Sequence, residues 1–156
     1  MSNHAQPLLE SFPLTFRFSV VFFELGIIPN PLDIRFRKVS GITSEINTHE
    51  VNSGGENLFT RRLPAKVNYR NLTLERGFAI GSVVRLDFNA AMTGFQFAPG
   101  NVQVILYGEN SLPISSWMFL NTYPVKWSIS DLDANQDQLV IESMELAYDQ
   151  FLSITI

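Results

Sequence analysis

The property that most narrows the folds open to this chain is a period-two alternation of apolar and polar residues that returns along most of its length. From Thr15 to Phe23, Phe16, Phe18, Val20 and Phe22 alternate with Thr15, Arg17 and Ser19. The rhythm resumes at Asp33–Arg37, Val67–Leu74, Val102–Tyr107, Ile114–Leu120, Tyr123–Ser130 and Gln138–Tyr148. Successive side chains of a strand point to opposite faces, so this is the pattern of strands with one buried side. Gly, Pro and Asn clusters such as Gly26, Pro29, Asn30 and Pro31 punctuate the runs. The count is about seven or eight strands, which predicts a mainly β fold, an antiparallel two-sheet barrel or sandwich.

Single segments add detail. Val21 and Phe23 break the polar face of the first strand, leaving it apolar on both sides, as expected where one side meets the core and the other meets another layer or subunit. Asp33, Arg35 and Arg37 opposite Ile34 and Phe36 predict a second strand antiparallel to the first. The apolar phase slips at Arg70-Asn71 between Tyr69 and Leu72, which predicts a bulge. One flanking α-helix is expected, capped by Ser82, with Val84, Phe88, Ala91 and Met92 at helical spacing and Gly94 as terminator. Residues 47–62 read as a long polar loop around Gly54-Gly55, unusual in so small a domain and ordered by partner subunits. The domain spans 14–150, with an irregular arm at 1–13 and a C-terminal tail at 151–156.

The 156 residues are 46% hydrophobic and 17% charged, enough for one domain with a real core. The absence of cysteine removes disulfides, thiolate metal sites and a cysteine nucleophile, and suits assembly in a reducing cytoplasm. A net charge of −4 offers no field for gathering polyanions. No signal peptide and no membrane anchor is read from the chain.

Asp131, Asp133, Asn135, Asp137 and Glu142 fall at calcium-loop spacing, but Gln136 stands where glycine is needed and a strand precedes the loop where a helix belongs. The plain reading is a polar turn with Glu142 on an exposed or subunit-facing side. Glu142 and Glu145 lie on opposite faces of a strand and so form no acid–base pair. Arg61, Arg62, Lys66, Arg70 and Arg76 cluster around Phe59 and Tyr69, but Glu50, Glu56 and Glu75 interleave with them. Ion pairs between subunits, or a solvated face, are favoured over a phosphate-tracking groove. His4 and His49 lack partners for a metal or triad, and Ser40 and Ser53 lack a nucleophile elbow. No catalytic, cofactor or metal site is assigned.

Pro124-Val125-Lys126-Trp127-Ser128-Ile129-Ser130-Asp131-Leu132-Asp133-Ala134, then Gln138 to Tyr148, are preceded in order by Val39-Ser40-Gly41-Ile42, Ser53-Gly54-Gly55-Glu56-Asn57, Leu63-Pro64 and Leu72-Thr73-Leu74-Glu75-Arg76-Gly77. This ordered set resembles the tail-tube proteins of contractile phage tails and of phage-tail-like bacterial injection particles. It covers roughly residues 14–150; relatives tend to carry a tryptophan where Leu86, Asp87 and Phe88 stand here. The resemblance implies a structural subunit and argues against an enzyme. It implies homohexameric rings with a continuous inner β-sheet, stacked into a tube that a contracting sheath drives through a target envelope. Implied partners are sister copies, sheath and baseplate proteins, and cargo or DNA in the lumen. Assembly would take place in the bacterial cytoplasm, and the product would be a virion tail or a released particle. Subunit contacts are expected at His49, Ser53, Gly54, Gly55, Glu56, Phe59, Arg61 and Arg62. Two other readings stay open: a type VI secretion-like ring protein carrying effectors, and a calcium- or ligand-binding β-barrel module.

Overall fold

One long strand organises the molecule. In the computed structural model, which describes residues 18–23, 36–52, 54–55, 60–78, 85–86, 89–90 and 100–155, the strands are β1 (Phe18–Phe23), β2 (Lys38–Ser40), β3 (Ser44–Val51), β4 (Arg61–Tyr69), β5 (Leu72–Gly77), β6 (Gly100–Tyr107), β7 (Pro113–Ile129), β8 (Ile141–Ala147) and β9 (Gln150–Thr155). All pairings are antiparallel. The first part of the 17-residue β7 pairs with β6 and β9, and its last part pairs with β8. The sheet therefore falls into two halves, β1-β6-β7-β9 and β7-β8-β5-β2, joined through β7; β3 and β4 form a separate two-stranded sheet.

The bend between the halves has a local cause. Asn121 sits at φ 54, a left-handed conformation that asparagine tolerates better than most residues. Its side-chain amide donates to Asp149 Oδ2 at 2.8 Å, and the Thr122 hydroxyl donates to the Gly100 carbonyl at 2.9 Å. These bonds let the strand turn without ending. Alternation in the sequence divides this segment into two strands, Ile114–Leu120 and Tyr123–Ser130, where the structure has one.

Val20, Phe22, Val102, Val104 and Phe119 from the first half and Leu72, Leu74, Met144 and Leu146 from the second form one buried cluster. The register explains it: Val20, Val104 and Trp117 are cross-strand neighbours, as are Phe22, Val102 and Phe119 in the next row. Across the other half, Leu72 opposes Leu146 and Leu74 opposes Met144. Each such large side chain contributes about 1.5–3 kcal/mol of burial.

Several expectations change. The described sheets do not close into a barrel. Of the second strand expected at Asp33–Arg37, Phe36 and Arg37 lie outside any strand and 33–35 lie outside the described residues; β1 pairs with β6, and the next described strand, β2, pairs with β5. The phase slip at Arg70-Asn71 is the passage from β4 in one sheet to β5 in another, not a bulge within one strand. Residues 150–155, read as tail from 151 onward, form an edge strand on β7 with Phe151 against Phe119. In the expected helix, Arg85, Leu86, Asn89 and Ala90 are helical; Ser82, Val84, Phe88, Ala91, Met92 and Gly94 lie outside the described residues, as does the arm at 1–13.

Candidate subunit interface

The stretch read as a polar loop is a β-hairpin. β3 and β4 continue the pair β2–β5 past a corner at Gly41, whose φ is +91. A Cβ there would overlap the carbonyl oxygen of Asn71 and stand 3.2 Å from its carbonyl carbon, so only glycine lets the two chain segments cross. Asn71 is held in turn by Glu145, whose Oε1 accepts from the Asn71 amide at 2.8 Å. Beyond this corner the hairpin leaves the body of the molecule: every residue of β3 and all of β4 except Tyr69 are exposed. Gly54 and Gly55 lie in its turn, with Gly55 at φ +123.

A two-stranded sheet bare on both faces is marginal in water, and this one exposes Ile46, Val51, Leu63 and Val67. Its register pairs Ile46 with Val67, Thr48 with Pro64, His49 with Leu63, Glu50 with Arg62 and Val51 with Arg61, with a bulge between the first two pairs. His49, Arg61 and Arg62 are therefore brought together near the tip, beyond which come Gly54 and Gly55; Ser53, Glu56 and Phe59 lie outside the described residues. Arg62 Nε stands 3.8 Å from Glu50 Oε1 within the same hairpin, an exposed pair of small worth.

Strand edges form a second surface open to partners. Among the described residues, the outer edges of β1 and β9 flank the first half, and those of β2 and the last part of β7 flank the second. Such edges invite pairing with other chains unless something covers them. Phe23 on β1 and Leu152 and Ile154 on β9 add exposed apolar surface there.

Two residues singled out from the sequence have another role. The inward row Leu72–Leu146 and Leu74–Met144 ends in the pair Arg76–Glu142, so both charges point into the protein. Glu142 is 0% exposed and the Arg76 side chain 3%. The Glu142 carboxylate accepts from Arg76 Nε at 3.1 Å, from Arg85 Nε at 2.7 Å and from Trp127 Nε1 at 2.8 Å. Arg85 also lies over the Phe78 ring at 4.0 Å, and Arg76 over Phe36 at 5.2 Å. Burial by itself raises the Glu142 pKa, but the hydrogen bonds from Arg85, Trp127 and Arg76, with the Arg76 charge, outweigh it and hold the carboxyl below its ordinary value.

Glu142 is thus neither exposed nor subunit-facing, and Arg76 leaves the surface cluster of cations. This also removes the twelfth-position ligand of the calcium reading. Asp131, Asp133 and Asp137 remain in the exposed β7–β8 loop, where Asp133 Oδ1 accepts from the Asn135 amide at 2.9 Å in a local turn. Among the described residues no group of three or more His, Cys, Asp or Glu side chains is placed to hold a metal ion. Nor is any helix there long and apolar enough to cross a membrane.

Comparison with known proteins fits this geometry. Residues 14–152 match the family model of the T4-like virus tail tube protein gp19. Among solved structures, a chain of the six-fold symmetrised anti-feeding prophage (AFP) baseplate is 34% identical, with 91% of this chain and 95% of that one covered and a TM-score of 0.83. A chain of the extended sheath–tube complex of an extracellular contractile injection system, PVC, is 19% identical with a TM-score of 0.78, covering 95% of each chain. Hcp1 from Flavobacterium johnsoniae shares the fold at 14% identity and a TM-score of 0.51, over 88% of this chain and 94% of its own. No curated protein matches by sequence.

Proposed function

The chain belongs to the T4-like virus tail tube protein family and is a structural tube subunit of contractile injection systems; from this premise we propose that six copies join edge to edge into a ring. The observation that carries the proposal is the set of surfaces left unfilled among the described residues: two four-stranded sheet halves with open edges and a hairpin exposed on both faces. Ring closure pairs the edges and removes the routes to uncontrolled aggregation. Sister chains then complete the barrel that one chain leaves open, with the helical segment near Arg85 on its flank. The hairpin supplies contacts through His49, Gly54, Gly55, Arg61 and Arg62, together with Ser53, Glu56 and Phe59.

The work of such a ring is mechanical. It forms part of a cylinder that sheath contraction drives through an envelope, with cargo or DNA in the lumen, and the subunit needs no bond chemistry. It assembles in the cytoplasm and acts as part of a virion tail or a released particle. The 34% identity to a chain from a baseplate structure supports a ring where the tube meets the baseplate, ahead of a repeating shaft unit and ahead of a type VI ring protein. Native mass measurement and electron microscopy of the purified protein test this. Closed six-membered rings that bind baseplate protein are expected, with no indefinite tubes in its absence. Persistent monomer at high concentration, even with baseplate and sheath proteins added, overturns the ring.

A further inference from the structure

The two sheet halves turn different chemistry outward, and we propose that the outward face of the half β7-β8-β5-β2 is the wall of the ring's bore, the surface along which cargo passes. The inference rests on the ring reading above and says which way each subunit faces.

Strand register sorts the outward side chains into rows. On this half Lys38, Glu75, Ser143 and Ser128 lie side by side in one complete row, and Ser40, Thr73, Glu145 and Lys126 in the next. Neither row holds an apolar side chain. Each carboxylate is already answered within the chain. Glu75 lies across from Lys38 and its Oε2 stands 4.0 Å from Arg37 Nε. Glu145 lies across from Lys126 and accepts from the Asn71 amide at 2.8 Å. Cross-strand neighbours of opposite charge stabilise such a face. At its two ends Ile141 on one side, and Ala147 with Tyr123 on the other, are half-buried.

The half β1-β6-β7-β9 turns out the reverse. One of its outward rows is Val21, Gln103, Met118 and Leu152, and the next is Ser19, Ile105, Ser116 and Ile154. Apolar side chains hold more than half of these places, and Leu152 and Ile154 are 49% and 47% exposed. Because the halves pack on each other through the buried cluster, their outward faces point in opposite directions. Closing edges around a ring then turns one face to the axis and the other away. Apolar surface is unfavourable wherever it stays in water. In a tube enclosed by a sheath, the outer side is the one a partner covers, while the bore stays wet for whatever moves through it. The polar half therefore belongs inside. Its hydroxyls and matched charges hold water and give a passing molecule no apolar foothold, so the cargo it fits is one that travels with its own hydration.

The chain contains no cysteine, so single cysteines report on each face. Ser143→Cys sits in the middle of the polar face and Leu152→Cys on the opposite one. Rings of each variant are labelled with a maleimide gold cluster and viewed end-on by electron microscopy. Gold is expected in the central hole for Ser143→Cys and around the outer circumference for Leu152→Cys. A small fluorescent maleimide is expected to react to completion with Ser143→Cys in intact rings, as it does after unfolding in urea. Gold from Ser143→Cys absent from the hole, or a Ser143→Cys closed to the small maleimide until the rings unfold, overturns this assignment and leaves the ring standing. Rings lost in Ser143→Cys while wild type forms them overturn it too, since that places Ser143 in a subunit contact. A wild-type chain that never forms rings overturns the ring reading, and this assignment falls with it.

Discussion

Glu142→Gln keeps the shape of a buried side chain and removes its charge, which isolates what the carboxylate does. In the native protein it faces two guanidinium groups, Arg76 at 3.1 Å and Arg85 at 2.7 Å, and the Trp127 indole at 2.8 Å. The glutamine oxygen can still accept from Trp127. Its amide then turns donors toward donors, and the Arg76 charge, on a side chain 3% exposed, loses the carboxylate beside it. Breaking a buried pair in this way costs about 3–5 kcal/mol. At about 2–4 °C per kcal/mol for a domain of this size, the melting midpoint should fall by roughly 6–20 °C. Urea unfolding of both proteins across pH gives a sharper check. The native Glu142 pKa lies below the ordinary 4.5, so its contribution is fully present above that unfolded value and is lost as pH falls through the folded value. The difference between wild type and Glu142→Gln should be flat at neutral pH and shrink below about pH 4.5. A difference under about 1 kcal/mol at neutral pH, or one unchanged in acid, would refute this account of the core.

Three further outcomes are expected. Gly41→Ala forces a positive φ on a Cβ residue and pushes the Asn71 carbonyl away, at a combined cost of about 3–5 kcal/mol, measurable by urea unfolding. Tyr148→Phe removes a buried hydroxyl that has no hydrogen-bond partner among the described residues, so stability should change by less than about 1 kcal/mol or rise. The wild-type Tyr148 phenol is held above its ordinary 10.0 by burial and then by Tyr69. Its contribution is complete below that value and lost as pH rises through the folded one, which ultraviolet phenolate absorbance can follow. Calcium should leave the melting midpoint unchanged, since Glu142 is committed to Arg76, Arg85 and Trp127; a clear rise would revive the Asp131 loop as a site.

Strands whose inward row is wholly apolar were legible. Val20, Val102 and Val104, and Leu72 and Leu74 sit in uninterrupted alternation and are buried as expected, whereas Phe22, expected to be buried only when copies associate, is buried within the single chain. Alternation does not say which strands meet, so the pairing of β1 with β6 had to come from the structure. It also fails where a polar residue does an internal job. Asn121 and Thr122 look like a strand end because both are turn-forming types, yet their hydrogen bonds carry β7 through the bend. Glu142 looks exposed because it is charged, although it continues the inward phase of Met144 and Leu146; that phase was the signal available. In sequence the hairpin looks like a loop because its strands, open on both faces, have no buried side to set a period. For the same reason the contacts proposed for it rest on placement on a bare ribbon, not on any chemical motif.

The bend in β7 has a mechanical consequence. Both halves share one unbroken backbone, so a load applied to one passes into the other through the peptide bonds of β7 as well as through the apolar cluster between them.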